Sequence, residues 1–155
     1  MTKQNVVITG GAGFIGSHLV KYHLAQGDHV WAVDSLEGGA VRNIEPFRSN
    51  PLFRFDHQDI CTWSKRQEAM AWANKVYHMA ASVGQKVVLK NPLNTLSNNI
   101  HVGEAVMEAM AEVKSTARLL IASTSEVYFH TKENPDGTLS EDASINFHSG
   151  KYLQE

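Results

Sequence analysis

VVITGGAGFIGSHL, residues 6–19, passes from a β-branched apolar run into four glycines, Gly10, Gly11, Gly13 and Gly16, and then into a second apolar pattern. Glycine loses more backbone entropy on folding than any other residue and weakens the interior of a helix or strand. Four of the chain's 11 glycines at one handover from strand to helix therefore mark a special turn. In such a turn one glycine makes the sharp bend, one lets the backbone approach a ligand, and one lets helix and strand pack closely. The free N–H groups and the positive dipole end of the following helix then face the ligand, an arrangement suited to a pyrophosphate. Two registers fit. Gly11-x-Gly13-x-x-Gly16 is the ordinary dinucleotide fingerprint, and Gly10-x-x-Gly13-x-x-Gly16 is a spaced variant sharing its last two glycines.

The chain reads outward from this turn as alternating strands and helices. Val6–Thr9 is a strand buried on both faces. A helix follows over Phe14–Gln26, with Ile15, Leu19 and Tyr22 at helical spacing and Gly27 at its stop. Strands are expected at His29–Asp34, Leu52–Phe55, Lys75–Ala80 and Arg118–Ser123, with a loop over 35–43 and a helix over Trp63–Ala73. Asn91 as N-cap and Pro92 in the first turn open a helix to about Val113, expected to bury Leu93, Leu96, Ile100, Val106 and Met110. A turn-rich stretch, KENPDGT (132–138), precedes a polar tail that begins a helix near Ser149. Short apolar strands alternating with helices imply an α/β, Rossmann-type doubly wound parallel sheet of order 3-2-1-4-5. Residues 1–155 are read as one dinucleotide-binding domain.

Composition narrows the partners. The net charge is −2, from 14 basic and 16 acidic residues, and no basic block marks a face for nucleic acid or an anionic membrane. The single cysteine, Cys61, cannot form an internal disulfide and has no adjacent activator. With no membrane-length apolar stretch and no signal-peptide core, a cytoplasmic setting is expected. The eight histidines show no metal-ligand spacing, so no metal is expected. His78 reads as a hydrogen-bonded core histidine, and Met107, Met110 and the three tryptophans as core filler.

A dinucleotide site needs an acidic residue at the end of the second strand, to accept hydrogen bonds from a ribose diol. Asp34 stands there. Its charge repels a 2′-phosphate and no arginine follows it directly, which favours NAD over NADP; the plainer reading is a turn-starting aspartate.

With these residues in view, the chain resembles the extended short-chain dehydrogenase/reductase family, in particular its nucleotide-sugar epimerases, dehydratases and decarboxylases. TGGAGFIG (9–16) resembles that family's glycine motif in the spaced register, which implies cofactor contacts from Gly10, Gly13, Phe14, Ile15 and Gly16. Asp59-Ile60 resembles its adenine-contacting pair. YHMAAS (77–82) resembles a His-x-Ala-Ala segment whose backbone, at Ala80 and Ala81, lies along the cofactor. Residues 91–109 resemble a helix carrying an asparagine at the active-site rim, here Asn99. ASTSEVY (122–128) resembles the Ser/Thr-bearing strand end of the decarboxylases and dehydratases, although Phe129 stands where the family usually has glycine. The resemblance covers nearly the whole chain. It implies NAD as cofactor, a nucleotide-sugar substrate, and a homodimer formed through the long helix and the tyrosine-bearing helix.

It also implies a mechanism, in which a tyrosine takes a proton from a sugar hydroxyl while the nicotinamide accepts hydride from the same carbon. A free tyrosine titrates near pH 10, and bringing it to about 7 takes roughly 4 kcal/mol. The family supplies this with a lysine one helical turn later and the charge of oxidised nicotinamide. On that pattern Thr124 hydrogen-bonds the reacting hydroxyl. Glu126 matches the acid of the dehydratase and decarboxylase branches; its plainer reading is an exposed loop carboxylate. Two placements of the tyrosine stay open. Tyr152 keeps the hydroxyl and implies that the coding sequence continues past Glu155 with a lysine, whereas Phe147 with Lys151 keeps the lysine and loses the proton acceptor. Family members continue beyond this point with a sugar-binding part, so the chain reads as the N-terminal portion of a longer protein, inactive by itself. The rival readings are a non-catalytic NAD-binding module and a reductase of non-sugar alcohols.

Overall fold

Thr9 pairs with Val33 on one side and His78 on the other, and this central position organises the sheet. In the computed structural model, which describes residues 2–124 together with Thr138 and Ser140, the chain divides into Met1–Ile121 and Ala122–Glu155. The first unit contains β1 (Asn5–Thr9), α1 (Phe14–Ala25), β2 (His29–Asp34), β3 (Phe53–His57), α2 (Arg66–Trp72), β4 (Lys75–His78), α3 (Gln85–Lys90), α4 (Pro92–Glu112) and β5 (Arg118–Ile121). The strands form one parallel sheet of order β3-β2-β1-β4-β5, as the sequence predicts. Successive side chains of a strand point to opposite faces, so β1 and β2 feed two cores. Val6, Ile8, Val30 and Ala32 meet Val20 of α1 on one face. Val7, Trp31 and Val33 meet Met70 of α2 and Val106 and Ala109 of α4 on the other. Val6, Val7 and Ile8 are fully buried, worth about 1.5–3 kcal/mol each.

α1 ends as its glycine predicts. Gly27 adopts φ +77°, its N–H donates to Leu24 O at 3.0 Å, and Asp28 N–H donates to His23 O at 3.0 Å, closing a Schellman motif. This brings His23 Nδ1 to 2.7 Å from Asp28 Oδ2, while Asp28 Oδ1 accepts from Gln4 N–H at 2.8 Å. Burial alone would raise the Asp28 carboxyl. Its hydrogen bonds to His23 and Gln4, with the charges of His23 and Lys75, outweigh that and hold it below its ordinary value.

Several expectations need correction. α4 buries Thr95, Val102, Ala105, Val106 and Ala109. Leu93, Leu96 and Ile100 are instead 79%, 60% and 49% exposed, and Met107, read as core filler, is also exposed. The helix carries two apolar stripes, and the one with alanines lies on the core because small side chains let the helix axis come close. Met110 is only partly buried against that core. Ile15 and Tyr22 of α1 likewise face outward, and Gly16, Ser17, Val20 and His23 form its buried side. β3 starts at Phe53 and runs on to His57, because pairing with β2 continues to Asp34 opposite His57 after the apolar run has ended. β4 stops at His78 and β5 at Ile121, α2 starts only at Arg66, and α3 was not expected at all. The loop after β2 contains two short 3₁₀ turns, Val41–Asn43 and Glu45–Phe47. Trp31 and Trp63 do lie in the core, where both indole N–H groups donate to Asp56 Oδ2, at 3.2 and 2.9 Å.

Candidate cofactor site

The carboxyl ends of β1, β2 and β4 converge where the strand order changes direction, the usual place for a ligand in a doubly wound sheet. Gly10 there adopts φ +67°, and a Cβ on it would lie 2.7 Å from Met79 C and Ala80 N. Only glycine meets both conditions. Gly13 N–H returns to Gly10 O at 3.0 Å, Gly13 is the N-cap of α1, and Gly16 packs over the Gly10 carbonyl. These contacts select the spaced register, Gly10-x-x-Gly13-x-x-Gly16, for the turn. Gly11 is excluded from carrying a side chain for another reason: its Cβ would lie 2.6 Å from Ala32 Cβ. The N-terminus of α1 has no side-chain cap and no acidic residue in its first turn. Helix geometry leaves the N–H groups of Phe14, Ile15 and Gly16 without intrahelical acceptors. Phe14 and Ile15 are exposed, so this end is open to an anion, and the bare turn fits a pyrophosphate.

Asp34 is 8% exposed. Its Oδ2 accepts from Ala12 N–H at 2.9 Å and its Oδ1 from Leu36 N–H at 2.7 Å, so the carboxylate is tied to the glycine turn itself. The bond from Leu36 N–H fits the turn-starting reading, and each carboxylate oxygen keeps further lone-pair capacity. Gln58 N–H donates to Asp34 O at 3.1 Å, which brings the end of β3 beside it. Asp59 follows, exposed, with Oδ1 accepting from Cys61 N–H at 2.8 Å; Ile60 is buried. Burial, then Asp59, push the Cys61 thiol up, which keeps it protonated and unreactive.

On the β4 side, Thr9 Oγ1 lies 2.7 Å from His78 Nδ1 and accepts from Ala80 N–H at 3.2 Å. The Thr9 hydroxyl keeps its proton and a second lone pair beside Nδ1, so the contact suits a neutral His78 in either tautomer. Burial pushes that imidazole below its ordinary value, as this requires. Asn99 does not point free into the crevice: its Oδ1 accepts from Ser82 N–H at 2.7 Å and its Nδ2 donates to Ser82 O at 3.1 Å. Asn98 Nδ2 adds a bond to Ser82 Oγ at 2.8 Å. Together they clasp the segment that follows Ala80 and Ala81. Thr124 is exposed and belongs to the unit that starts at Ala122. Glu126, Phe147, Lys151 and Tyr152 lie outside the described residues.

The sequence profile of the NAD dependent epimerase/dehydratase family matches residues 6–151. The chain belongs to that family. Among its relatives, UDP-glucuronic acid decarboxylase 4 of Arabidopsis thaliana is 35% identical over 84% of the chain and 28% of its own length. UDP-glucuronic acid decarboxylase 1 of Danio rerio is 33% identical over 86% of the chain and 30% of its own length. A UDP-glucose-4-epimerase from Stenotrophomonas maltophila, solved with bound NAD and formylated UDP-arabinopyranose, superposes with a TM-score of 0.80 at 29% identity. That match covers 92% of this chain and 43% of the epimerase. The chain thus spans less than a third of these curated decarboxylases and under half of the solved epimerase.

Sequence reasoning missed Thr9, Asn43, Ser82, Asn98 and Arg66, each of which makes a side-chain hydrogen bond that no local motif announces. Arg66 Nη1, for example, holds Ile60 O at 3.1 Å and Cys61 O at 2.6 Å. Among the described residues no group of three or more His, Cys, Asp or Glu is placed to hold a metal ion, and no helix is long and apolar enough to cross a membrane.

His78 yields a pH prediction. An unfolded histidine titrates at about 6.5, and the buried one titrates lower. On acidification the unfolded state therefore binds the proton first, so stability falls below about pH 6.5 and levels off once the native ring also protonates. Urea melts between about pH 5 and 7.5 should show this loss in the parent and a smaller one in His78→Asn. Equal pH slopes in the two proteins would count against a neutral buried His78.

Proposed function

We propose that this chain is the cofactor-holding part of an NAD-dependent enzyme that acts on a nucleotide sugar through a transient keto-sugar. The observation that carries the reading is the glycine turn set against Asp34: an uncapped helix N-terminus adjoins a buried carboxylate on the neighbouring strand. An anion site and a diol-binding carboxylate in that arrangement suit the pyrophosphate and ribose of one dinucleotide. In this reading Gly10, Gly13 and Gly16 admit the phosphates, the N–H groups of Phe14 and Ile15 bind them, and Asp34 holds the adenosine ribose. Asp59 and Ile60 face the adenine, Ala80 and Ala81 run beside the cofactor, and Asn99 secures that segment through Ser82. NAD, when bound, takes a hydride from a sugar carbon and later returns it. Thr124 hydrogen-bonds the reacting hydroxyl, Tyr152 accepts its proton, and Glu126 serves as the acid of an elimination or decarboxylation step.

Similarity to UDP-glucuronic acid decarboxylases over most of the chain supports a uridine-diphosphate sugar, with decarboxylation the first reaction to test. Calorimetry should show NAD binding to the chain more tightly than NADP. UDP-glucuronic acid and UDP-glucose would then be offered to a longer protein containing this chain, following carbon dioxide release and transient absorbance of reduced nicotinamide. Turnover lost in Tyr152→Phe with NAD affinity kept supports the assignment. Absence of NAD binding overturns the cofactor reading, and NAD binding with no sugar oxidised favours the non-catalytic module. The exposed stripe of Leu93, Leu96, Ile100 and Met107 supports homodimerisation through α4. Sedimentation velocity on the same protein tests that, a dimer being expected and a monomer opposing it.

A further inference from the structure

Ala12 sits in the middle of the glycine turn, is fully buried, and has its backbone N–H bonded by the last residue of β2 and its carbonyl by the connection that follows. Its N–H donates to Asp34 Oδ2 at 2.9 Å. Its carbonyl oxygen accepts from Asn43 Nδ2 at 2.7 Å and from Ala40 N–H at 3.0 Å. The N–H belongs to the Gly11–Ala12 peptide and the carbonyl to the Ala12–Gly13 peptide. Two successive peptide planes, the second leading into the N-cap of α1, are therefore held from one side. Asn43 is itself anchored, since its N–H donates to Ala40 O at 2.9 Å and the next residue, Ile44, is completely buried.

We infer that Asn43 is a positioning residue for the pyrophosphate turn: its amide locks the Ala12–Gly13 peptide plane, so that the α1 N-terminus is presented to the phosphates before they arrive. The inference rests on the NAD-binding reading and adds to it a coupling. Asp34, on the ribose side, and Asn43 hold the same residue, so the two halves of the cofactor meet one rigid body. Preorganisation of this kind raises affinity by removing an ordering cost at binding.

The test uses the whole chain, with NAD, NADP and ADP-ribose titrated into the parent, Asn43→Ala and Asn43→Asp. Asn43→Asp keeps the shape, loses the N–H donor and sets an anionic oxygen against the Ala12 carbonyl, so it should weaken binding at least as much as Asn43→Ala, and it serves if that variant does not fold. Loss of one such bond should weaken NAD and ADP-ribose alike by about tenfold, equivalent to about 1.4 kcal/mol. The preference for NAD over NADP should be unchanged, because Asp34 stays in place. A merely structural role would loosen the whole connection, and the preference would fall along with the affinity; that result overturns the inference. So does parent-like affinity in a folded variant. A parent that binds neither NAD nor ADP-ribose fails the cofactor reading itself, and the positioning role falls with it.

Discussion

Gly16→Ala is expected to destabilise the protein by about 1–3 kcal/mol and to weaken NAD by about a hundredfold or more. Helix propensity argues the other way, since alanine is about 1 kcal/mol better than glycine inside a helix. Packing decides the sign. A Cβ at Gly16 would fall inside contact distance of the Gly10 carbonyl oxygen and 2.9 Å from both Gly10 C and Gly11 Cα. All of these are backbone atoms, so no rotamer change can make room, and the turn must open. An opened turn moves the Gly10 carbonyl to which Gly13 N–H is bonded, and with it the start of α1. Gly103→Ala in α4 is the internal control, because nothing lies within 4 Å of a Cβ there. That variant should gain up to about 1 kcal/mol from propensity alone. Urea melts and NAD titrations on both variants check the pair; a Gly16→Ala protein as stable as the parent would contradict the packing described here.

Asp34→Ala should lower stability and reduce cofactor discrimination together. The carboxylate is the acceptor for Ala12 N–H, which is fully buried, and for Leu36 N–H. Leaving a buried donor without a partner costs about 1–3 kcal/mol. Leu36 adopts φ +65°, a conformation that a leucine holds only when its surroundings impose it, and the Asp34 bond is one of the restraints. Removing the charge also removes the repulsion of a 2′-phosphate, so NAD should lose affinity while NADP changes less, and the gap between them should narrow. Asp34→Asn keeps one acceptor oxygen and should fall between the parent and Asp34→Ala in a thermal melt. If Asp34→Ala were to melt with the parent and keep its NAD preference, neither role of the carboxylate would stand.

Local pattern was enough for much of this protein. The apolar run before the glycines, the helix stop at Gly27, the strand ending at Asp34 and the alternation of strands with helices are encoded within short windows, and the parallel order 3-2-1-4-5 follows from them. The glycines of the turn, Gly10, Gly13 and Gly16, and Asp34 at the end of β2 were legible for the same reason. Tertiary structure alone decided what depends on a distant partner. The backbone of Met79 and Ala80 makes Gly10 the bend of the turn, and Asn43 becomes part of it by reaching Ala12 across 31 positions of sequence. The two hydrogen bonds between Asn99 and the Ser82 backbone, across 17 positions, likewise exist only in the folded chain. On α4, periodicity reveals apolar stripes but not which of them meets the sheet. That choice was made by the close approach that Ala105 and Ala109 permit, and it left Leu93, Leu96 and Ile100 outside. Periodicity records which residues share a face, whereas the partner of that face, and of each backbone N–H and carbonyl, exists only once the chain has folded.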